Sequence, residues 1–298
     1  MTSAYAHLLP AVQMLADAPD EVRIRRLRTD RWIGYARAEA VLAQLEDLLS
    51  FPPRTRMPNL FLVGPTNNGK TMILEKFRRT HRPDEQGSPQ NALCVPVLTL
   101  QMPPSPDEHS FFSAILSALG AGDRINDRRL QVKQDIIVRL MRAAAVRLLA
   151  IDEVHNLLCG SPQQQRRFLN LLRWLGNELQ IPLVAVGTAE GLRAIQSDEQ
   201  LANRFTPFSL PLWHADAEYT RLLNTLELLL PLRQPSGLAE PALAHKILTA
   251  SEGVLGEIVS LLVQAAVAAI RQGHEAIRAQ VLENICFIPP TQRRHVHH

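Results

Sequence analysis

The chain is predicted to be an α/β protein, a parallel sheet flanked by helices, followed by a small all-helical domain. Three observations predict it. Short apolar runs alternate with helical segments between about residues 59 and 210, as in sheets whose strands are buried on both faces. The first run, Asn59 to Val63, enters a glycine-bounded loop and then a helix opening at Met72. From about Trp213 onward no strand pattern recurs, and only helical periodicity remains.

The elements follow in order. Residues 1–50 form an N-terminal helical extension expected to pack on the α/β core. It has helices over 8–17 and 36–49, the latter apolar at 41, 42, 45, 48 and 49. Between them lies an aromatic-rich turn, Arg31-Trp32-Ile33-Gly34-Tyr35. Residues 51–212 are expected to form the α/β domain. After its first helix comes a turn-rich loop over 83–91 and a strand over 93–100. Met102 to Asp107, with three prolines, reads as a stiff linker whose Ser105 and Asp107 can cap a helix over 109–119. A helix over 127–145 leads into a strand over 147–151. A helix over 162–179, a strand over 181–186, a short helix over 190–196 and a last strand over 206–210 complete the domain. Residues 213–286 form a helical lid, with helices over 216–230, 240–251, 255–271 and 274–285. The tail, 287–298, carries His295, His297 and His298 and is expected to be a disordered, solvated end.

The loop Gly64-Pro65-Thr66-Asn67-Asn68-Gly69-Lys70-Thr71 fits the P-loop pattern G-x-x-x-x-G-K-T between a strand and a helix. Backbone N–H groups of such a loop curl round a triphosphate at a helix N-terminus, where the helix dipole favours negative charge. Lys70 is expected to reach the β- and γ-phosphates, and the Thr71 hydroxyl to ligate Mg²⁺. The strand Arg147 to Ile151 ends in Asp152-Glu153. Adjacent carboxylates at the C-terminal end of a buried strand need a purpose: Asp152 would hold Mg²⁺ and Glu153 would activate the attacking water. The string Asp152-Glu153-Val154-His155 also occurs in some helicases, but a second nucleotide-binding core and further helicase motifs are absent.

Composition narrows the classes. The chain has 298 residues, 46% hydrophobic, enough for one large or two modest domains. A formal net charge of +3 is compatible with nucleic acid without arguing for it. Only Lys70, Lys76, Lys133 and Lys246 are lysines, so arginine carries almost all positive charge. Cys94, Cys159 and Cys286 are odd in number and lack C-x-x-C spacing, arguing against a disulfide framework and a zinc site. The run Val259 to Ile270 is too short to span a bilayer, and no signal-peptide layout opens the chain. A cytoplasmic location is the expectation.

Together these residues resemble an AAA+ ATPase. Further strings sharpen the likeness to the TniB family of transposon-encoded ATP-binding proteins, related to the TnsC regulators. They are Asp30 to Tyr35, Arg56 to Leu60 running into the P-loop, Glu75 to His81, Asp152 to Asn156, Phe168 to Arg173, Leu175 to Leu179, Asn203-Arg204-Phe205 and Ser251-Glu252-Gly253. The resemblance covers roughly residues 20 to 285. It implies an ATPase of slow, assembly-stimulated turnover that binds duplex DNA without sequence preference when ATP-loaded. It also implies head-to-tail rings or filaments, recruitment of a DDE-type transposase of the TniA kind and a TniQ-like targeting protein, and disassembly on hydrolysis.

Residue by residue, the likeness implies that Thr188 is the sensor between γ-phosphate and water, the alternative being a bare loop threonine. It implies that Arg204 reaches a neighbouring subunit's nucleotide, the alternative being an ordinary surface arginine. Ile33 and Tyr35 would lie near the adenine, against simple packing of this segment in the core. Arg124, Arg128 and Arg129, with Ser105 on the preceding loop, would face DNA; a solvated helix face accounts for the arginines equally well. Because the chain has no room for a winged-helix domain, DNA contacts are expected on the ATPase domain itself. One departure stands out: Glu257 occupies the lid position where many relatives carry a sensor arginine. The competing functional readings are an AAA+ loader or remodeller acting on a protein partner outside transposition, and a small-molecule P-loop kinase.

Overall fold

The computed structural model describes residues 5–82, 94–121 and 129–295. In chain order its elements are helices α1 (Pro10–Ala16), α2 (Asp20–Leu27) and α3 (Ala36–Ser50), strand β1 (Asn59–Val63), α4 (Lys70–Thr80), β2 (Val97–Gln101), α5 (Glu108–Ala118), α6 (Leu130–Ala143) and β3 (Leu148–Asp152). A 3₁₀ turn (Val154–Cys159) precedes α7 (Pro162–Leu179), β4 (Leu183–Gly187), α8 (Ala189–Gln196), α9 (Glu199–Ala202), β5 (Phe205–Ser209), α10 (Ala217–Leu229), α11 (Pro241–Ser251), α12 (Leu255–Arg271), α13 (Ala279–Asn284) and α14 (Pro290–His295). Two compact units result. One comprises the described residues of Ala40–Thr66 and Lys70–Pro211; the other comprises those up to Glu39, Asn67–Gly69 and those from Leu212 onward.

The first unit is the α/β unit. Its five strands are all parallel and ordered β2-β3-β4-β1-β5. Leu148, Leu149, Ala150 and Ile151 of β3 and every residue of β4 are buried, as strands covered on both faces must be. Strand β5 lies at the edge, and Pro207, which cannot donate to a ladder, is tolerated there. Helix α7 shows how local sequence sets an element. Ser161 accepts from the Gln164 backbone N–H while the Gln164 side chain accepts from the Ser161 N–H, a capping box. Phe168, Leu169, Leu171, Leu172 and Leu175 then face the core, which leaves Arg173 and Asn177 on the other side.

The second unit is helical. Its core joins Leu27 of α2 to Leu222, Leu223 and Leu226 of α10 and to Ile258, Leu261 and Ala265 of α12. Arg23, wholly buried, donates from Nε and Nη2 to the Pro231 carbonyl at 3.0 and 2.8 Å and from Nη1 to Asp20 Oδ1 at 3.1 Å. It also pairs with Glu275. Arg233 adds its backbone N–H and Nη1 to the same carboxylate.

The N-terminal extension was expected on the α/β core. Its residues 40–50 do group with the α/β unit, but the residues up to Glu39 group with the helical unit, with α2 packed along α12. On the buried side of α2, Leu27 enters the helical core and Arg23 pairs with Glu275. The tail also differs from expectation: Pro290–His295 is helical, with Pro at the first turn where its missing N–H costs nothing. The helix expected over 274–285 reduces to Ala279–Asn284, because Glu275 at φ 55° leaves the helical region. The expected loop over 83–91 and the start of the strand at Leu93 lie outside the described residues. Among those residues, no single helix is long and apolar enough to cross a membrane.

Candidate nucleotide site

In the α/β unit the sheet order decides what meets. Strand β4 lies between β3 and β1, so the residues following the C-terminal ends of these three neighbours share one edge. They are Asp152 and Glu153 on β3, Thr188 after β4, and Gly64 after β1. Ligands of open parallel sheets bind at this carboxyl edge.

The loop after β1 turns through two left-handed residues, Asn67 at φ 60° and Gly69 at φ 84°. Asn tolerates that region better than other side chains, and Gly adopts it freely. Such alternation turns successive N–H groups inward, and α4 begins directly at Lys70, so the loop ends on a positive helix terminus. The Lys70 side chain is buried, and its Nζ donates to the Gly64 and Pro65 carbonyls at 2.8 and 2.6 Å. Burial pushes its ammonium below the ordinary lysine value, against the pull of Asp152 and Glu153.

Thr71 Oγ1 donates to Asp152 Oδ2 at 2.6 Å, and Asp152 Oδ1 accepts from the Glu153 N–H at 2.8 Å. A hydroxyl and a carboxylate brought together at the loop are hard oxygen donors of the kind Mg²⁺ takes. These two residues therefore fit the metal. The cleft beside them, about 270 Å³, is lined by Thr71, Glu75, Thr99, Gln101, Asp152 and Glu153 among others. Arg78, assisted by Arg79, holds the Glu75 carboxyl at about 2 against the opposing effect of burial.

Glu153 itself has φ 57°, which turns the chain sharply from β3 into the 3₁₀ turn and swings its side chain toward His155. Glu153 Oε2 lies 2.9 Å from His155 Nε2. Thr188 is the N-cap residue of α8 without a capping bond of its own.

Arg204 immediately precedes β5, and its carbonyl accepts from the Asn59 N–H at 2.9 Å. Its guanidinium donates to Asn177 Oδ1 at 2.7 Å. Burial, then the nearby Arg56 and Arg173, push it below the usual arginine value. Arg173 is held in the same manner, by Asn170 Oδ1 at 2.7 Å and Gln200 Oε1 at 3.0 Å. Neutral amide oxygens orient both side chains, and Asp198, 3.8 Å from Arg173, compensates part of their charge.

In the helical unit, which includes Asn67–Gly69, Asn67 Nδ2 donates to Glu257 Oε1 at 3.0 Å, and Asn68 Oδ1 accepts from the Leu255 N–H at 3.1 Å. Arg293 Nη1 lies 3.2 Å from the same Glu257 oxygen. The acid at the sensor position is thus paired with a cation supplied by α14. Tyr35 stacks edge-on to Trp213, ring centroids 5.2 Å apart, and burial pushes its phenol up to about 12. A hollow of about 50 Å³ adjoins it, lined in part by Gly34, Trp213, Arg221 and Leu222. Ile33 packs on the helical core.

Sequence reasoning singled out Gly64, Pro65, Thr66, Lys70, Thr71, Asp152, Glu153 and Thr188, which the strand order brings along one sheet edge. It placed Arg204 beside β5 at the sheet's other margin. Of the expected DNA contacts, Ser105 before α5 and Arg129 at the start of α6 are exposed, while Arg124 and Arg128 lie outside the described residues. It missed the partners: His155 on Glu153, Asn177 on Arg204, Arg293 on Glu257. Only the first had a local signal, the Asp-Glu-x-His spacing.

Comparison with known proteins adds the following. The family model described as "Bacterial TniB protein" matches residues 23–215. No curated protein matches. Among solved structures, the Aeropyrum pernix ORC2 protein in its ADPNP–ADP complexes aligns with a TM-score of 0.63 at 17% identity, over 92% of this chain and 74% of that one. The Aeropyrum pernix ORC1 protein in complex with DNA aligns at 0.61 and 18%, over 92% and 69%. Drosophila ORC bound to DNA aligns at 0.56 and 14%, over 95% and 70%. These likenesses give the fold, that of AAA+ ATPases.

Proposed function

The chain belongs to the bacterial TniB family, and from that premise we propose that this ATPase is an ATP-gated, sequence-nonspecific DNA-binding regulator of transposition. In this reading it assembles on target DNA, recruits a DDE-type transposase together with a TniQ-like partner, and is released by hydrolysis. The observation that carries the ATP-dependent part is the meeting of Thr71 with Asp152 beside a P-loop whose lysine is already turned into the loop. The DNA-dependent part draws support from the family and from the shared fold of a DNA-bound ORC1 protein.

Each residue then has a role. The loop N–H groups from Thr66 to Gly69 cradle the phosphates, and Lys70 exchanges its two carbonyl partners for phosphate oxygens. Thr71 and Asp152 hold Mg²⁺, which neutralises charge on the phosphates when bound. Glu153 accepts a proton from the attacking water. Thr188 reads the state of the edge between them. Arg204, oriented by the Asn177 amide, acts on the nucleotide of the next copy; such a finger supplies about 10³–10⁵ in rate in other phosphoryl-transfer enzymes. Ile33 and Tyr35 border the base. Ser105, Arg124, Arg128 and Arg129 meet DNA phosphates, which gives strong salt dependence and little sequence preference.

Fluorescence anisotropy of a labelled duplex tests the reading. Binding should be tight with a non-hydrolysable ATP analogue, weak with ADP, and should fall steeply with salt. Binding indifferent to nucleotide, or none at low salt, contradicts a DNA scaffold and leaves the loader of a protein partner.

A further inference from the structure

Among the described residues, the buried side-chain polar atoms without a hydrogen-bond partner are His155 Nδ1 and Thr188 Oγ1. Glu257, also buried, is the opposite case, with both carboxylate oxygens engaged. It lies in the first turn of α12, whose N-cap residue, Val254, supplies no side-chain cap. The opening N–H groups of such a helix need acceptors from elsewhere. In the helical unit the middle of the P-loop supplies them. The Leu255 N–H donates to Asn68 Oδ1 at 3.1 Å, and the Gly256 N–H to the Asn67 carbonyl at 2.9 Å.

Glu257 then takes the Asn67 side chain, whose Nδ2 donates to Oε1 at 3.0 Å. A carboxylate only accepts, so the amide nitrogen faces it and the orientation of the Asn67 amide is fixed. A Cβ on Gly256 would come 2.1 Å from Asn67 Oδ1, so glycine there admits the amide. Asn67, at φ 60°, is thus held by its carbonyl and by its side chain in the left-handed conformation that turns loop N–H groups inward.

The same carboxylate opposes the ligand. A negative charge one hydrogen bond from the loop repels a polyphosphate, and a partly buried charge is screened little by salt. Arg293 answers that charge. Its Nη1 donates to Glu257 Oε1 at 3.2 Å and its Nη2 pairs with the other oxygen. Its Nε donates to the Ile288 carbonyl at 2.7 Å, and the guanidinium lies 5.4 Å from the centroid of the Phe287 ring. Helix α14, which carries it, is tied to the end of α11 by the Thr291 N–H, 3.1 Å from Glu252 Oε1. A two-pronged, oriented guanidinium matches a carboxylate and cancels its charge.

We propose that Glu257 and Arg293 are positioning residues for the nucleotide: Glu257 holds Asn67 in its loop conformation, and Arg293 neutralises Glu257 so that a polyphosphate can occupy the loop beside it. The inference rests on the reading of this loop as the phosphate cradle. Arg293 acts through Glu257 and does not touch the ligand.

Calorimetric titration of the full chain with a non-hydrolysable ATP analogue and Mg²⁺ tests the pair, using Arg293→Ala, Glu257→Gln and the double variant. Arg293→Ala should lower affinity about tenfold or more, as an uncancelled charge at this range does. Glu257→Gln keeps an oxygen for the Asn67 amide and removes the charge, so it should bind at least as tightly as wild type. The double variant should return to within about threefold of wild type, a rescue expected only of directly coupled groups. A double variant as weak as Arg293→Ala means that Arg293 touches the ligand or merely braces the helices, and overturns the inference. Wild-type affinity in Arg293→Ala, or a tenfold loss in Glu257→Gln, overturns it equally. Thermal unfolding of each variant separates lost affinity from lost structure, and Glu257→Gln carries the test if Arg293→Ala does not fold. A wild-type chain that binds no analogue defeats the nucleotide reading instead.

Discussion

The two units treat buried polar groups in opposite ways. In the helical unit Arg23 is wholly buried, yet it has Pro231, Asp20 and Glu275 as partners, and Arg233 completes the carboxylate. In the α/β unit the buried orphans lie at the carboxyl edge, beside Glu153. Where every group is satisfied, polar atoms specify one structure; removing one partner leaves a charge stranded. Where groups are left open along an exposed edge, the interior is incomplete without a ligand or a step of chemistry. The contrast predicts that polar substitutions in the α/β edge change rates at little cost in stability, and that those in the helical network do the reverse.

The largest expected effect is Glu153→Gln. Hydrolysis should fall by about 10²–10⁴, with nucleotide binding and thermal stability close to wild type, and DNA complexes formed with ATP should persist. Phosphate release and the lifetime of those complexes check it; complexes that decay as fast as wild type would remove Glu153 from the role of base. Arg23→Ala should be the converse. Breaking a buried pair costs about 3–5 kcal/mol, read as a fall in unfolding midpoint in urea, and the Lys70 site should keep its nucleotide affinity at temperatures where the variant is folded. A stability loss below about 1 kcal/mol would erase the contrast.

The smallest effect is in acid. Burial would raise the Glu275 carboxyl, but Arg23, with the Arg233 N–H, outweighs it and holds the group below the ordinary carboxylate range. A depressed value in the folded state means stabilisation that is complete above the unfolded value, about 4.3, and is lost as pH falls through the folded value. The helical unit of the wild type should therefore lose stability below about pH 4, and Glu275→Gln should flatten that loss. Thermal unfolding followed across pH 3 to 7 would show an equal acid loss in both chains if Glu275 were unimportant.

What was legible in the sequence follows the same division. The strand–loop–helix from Asn59 to Lys70 and the acids closing β3 could be read because local backbone geometry dictates their residues: Asn and Gly where φ is positive, apolar residues in a doubly covered strand. The parallel sheet followed from the alternation of elements. The side on which the N-terminal extension packs was not legible. An amphipathic stripe says that a helix needs a partner without naming it, and the Arg23–Glu275 pair spans most of the chain. The pairing of Glu257 with Arg293 is similarly non-local; read alone, an acid at that position looks like a lost function. His155 was in view in the Asp-Glu-x-His string, yet its 2.9 Å contact with Glu153 depends on the positive φ of Glu153, which the string does not show.

The central claim is that the P-loop and the β3 acids hold one magnesium-bound triphosphate. Calorimetric titration of a non-hydrolysable ATP analogue into wild type, Lys70→Ala and Asp152→Asn, each with and without Mg²⁺, tests it most directly. Binding should be strengthened by Mg²⁺ in the wild type, indifferent to Mg²⁺ in Asp152→Asn, and lost in Lys70→Ala. Wild-type affinity in Lys70→Ala, or an undiminished Mg²⁺ effect in Asp152→Asn, would contradict it.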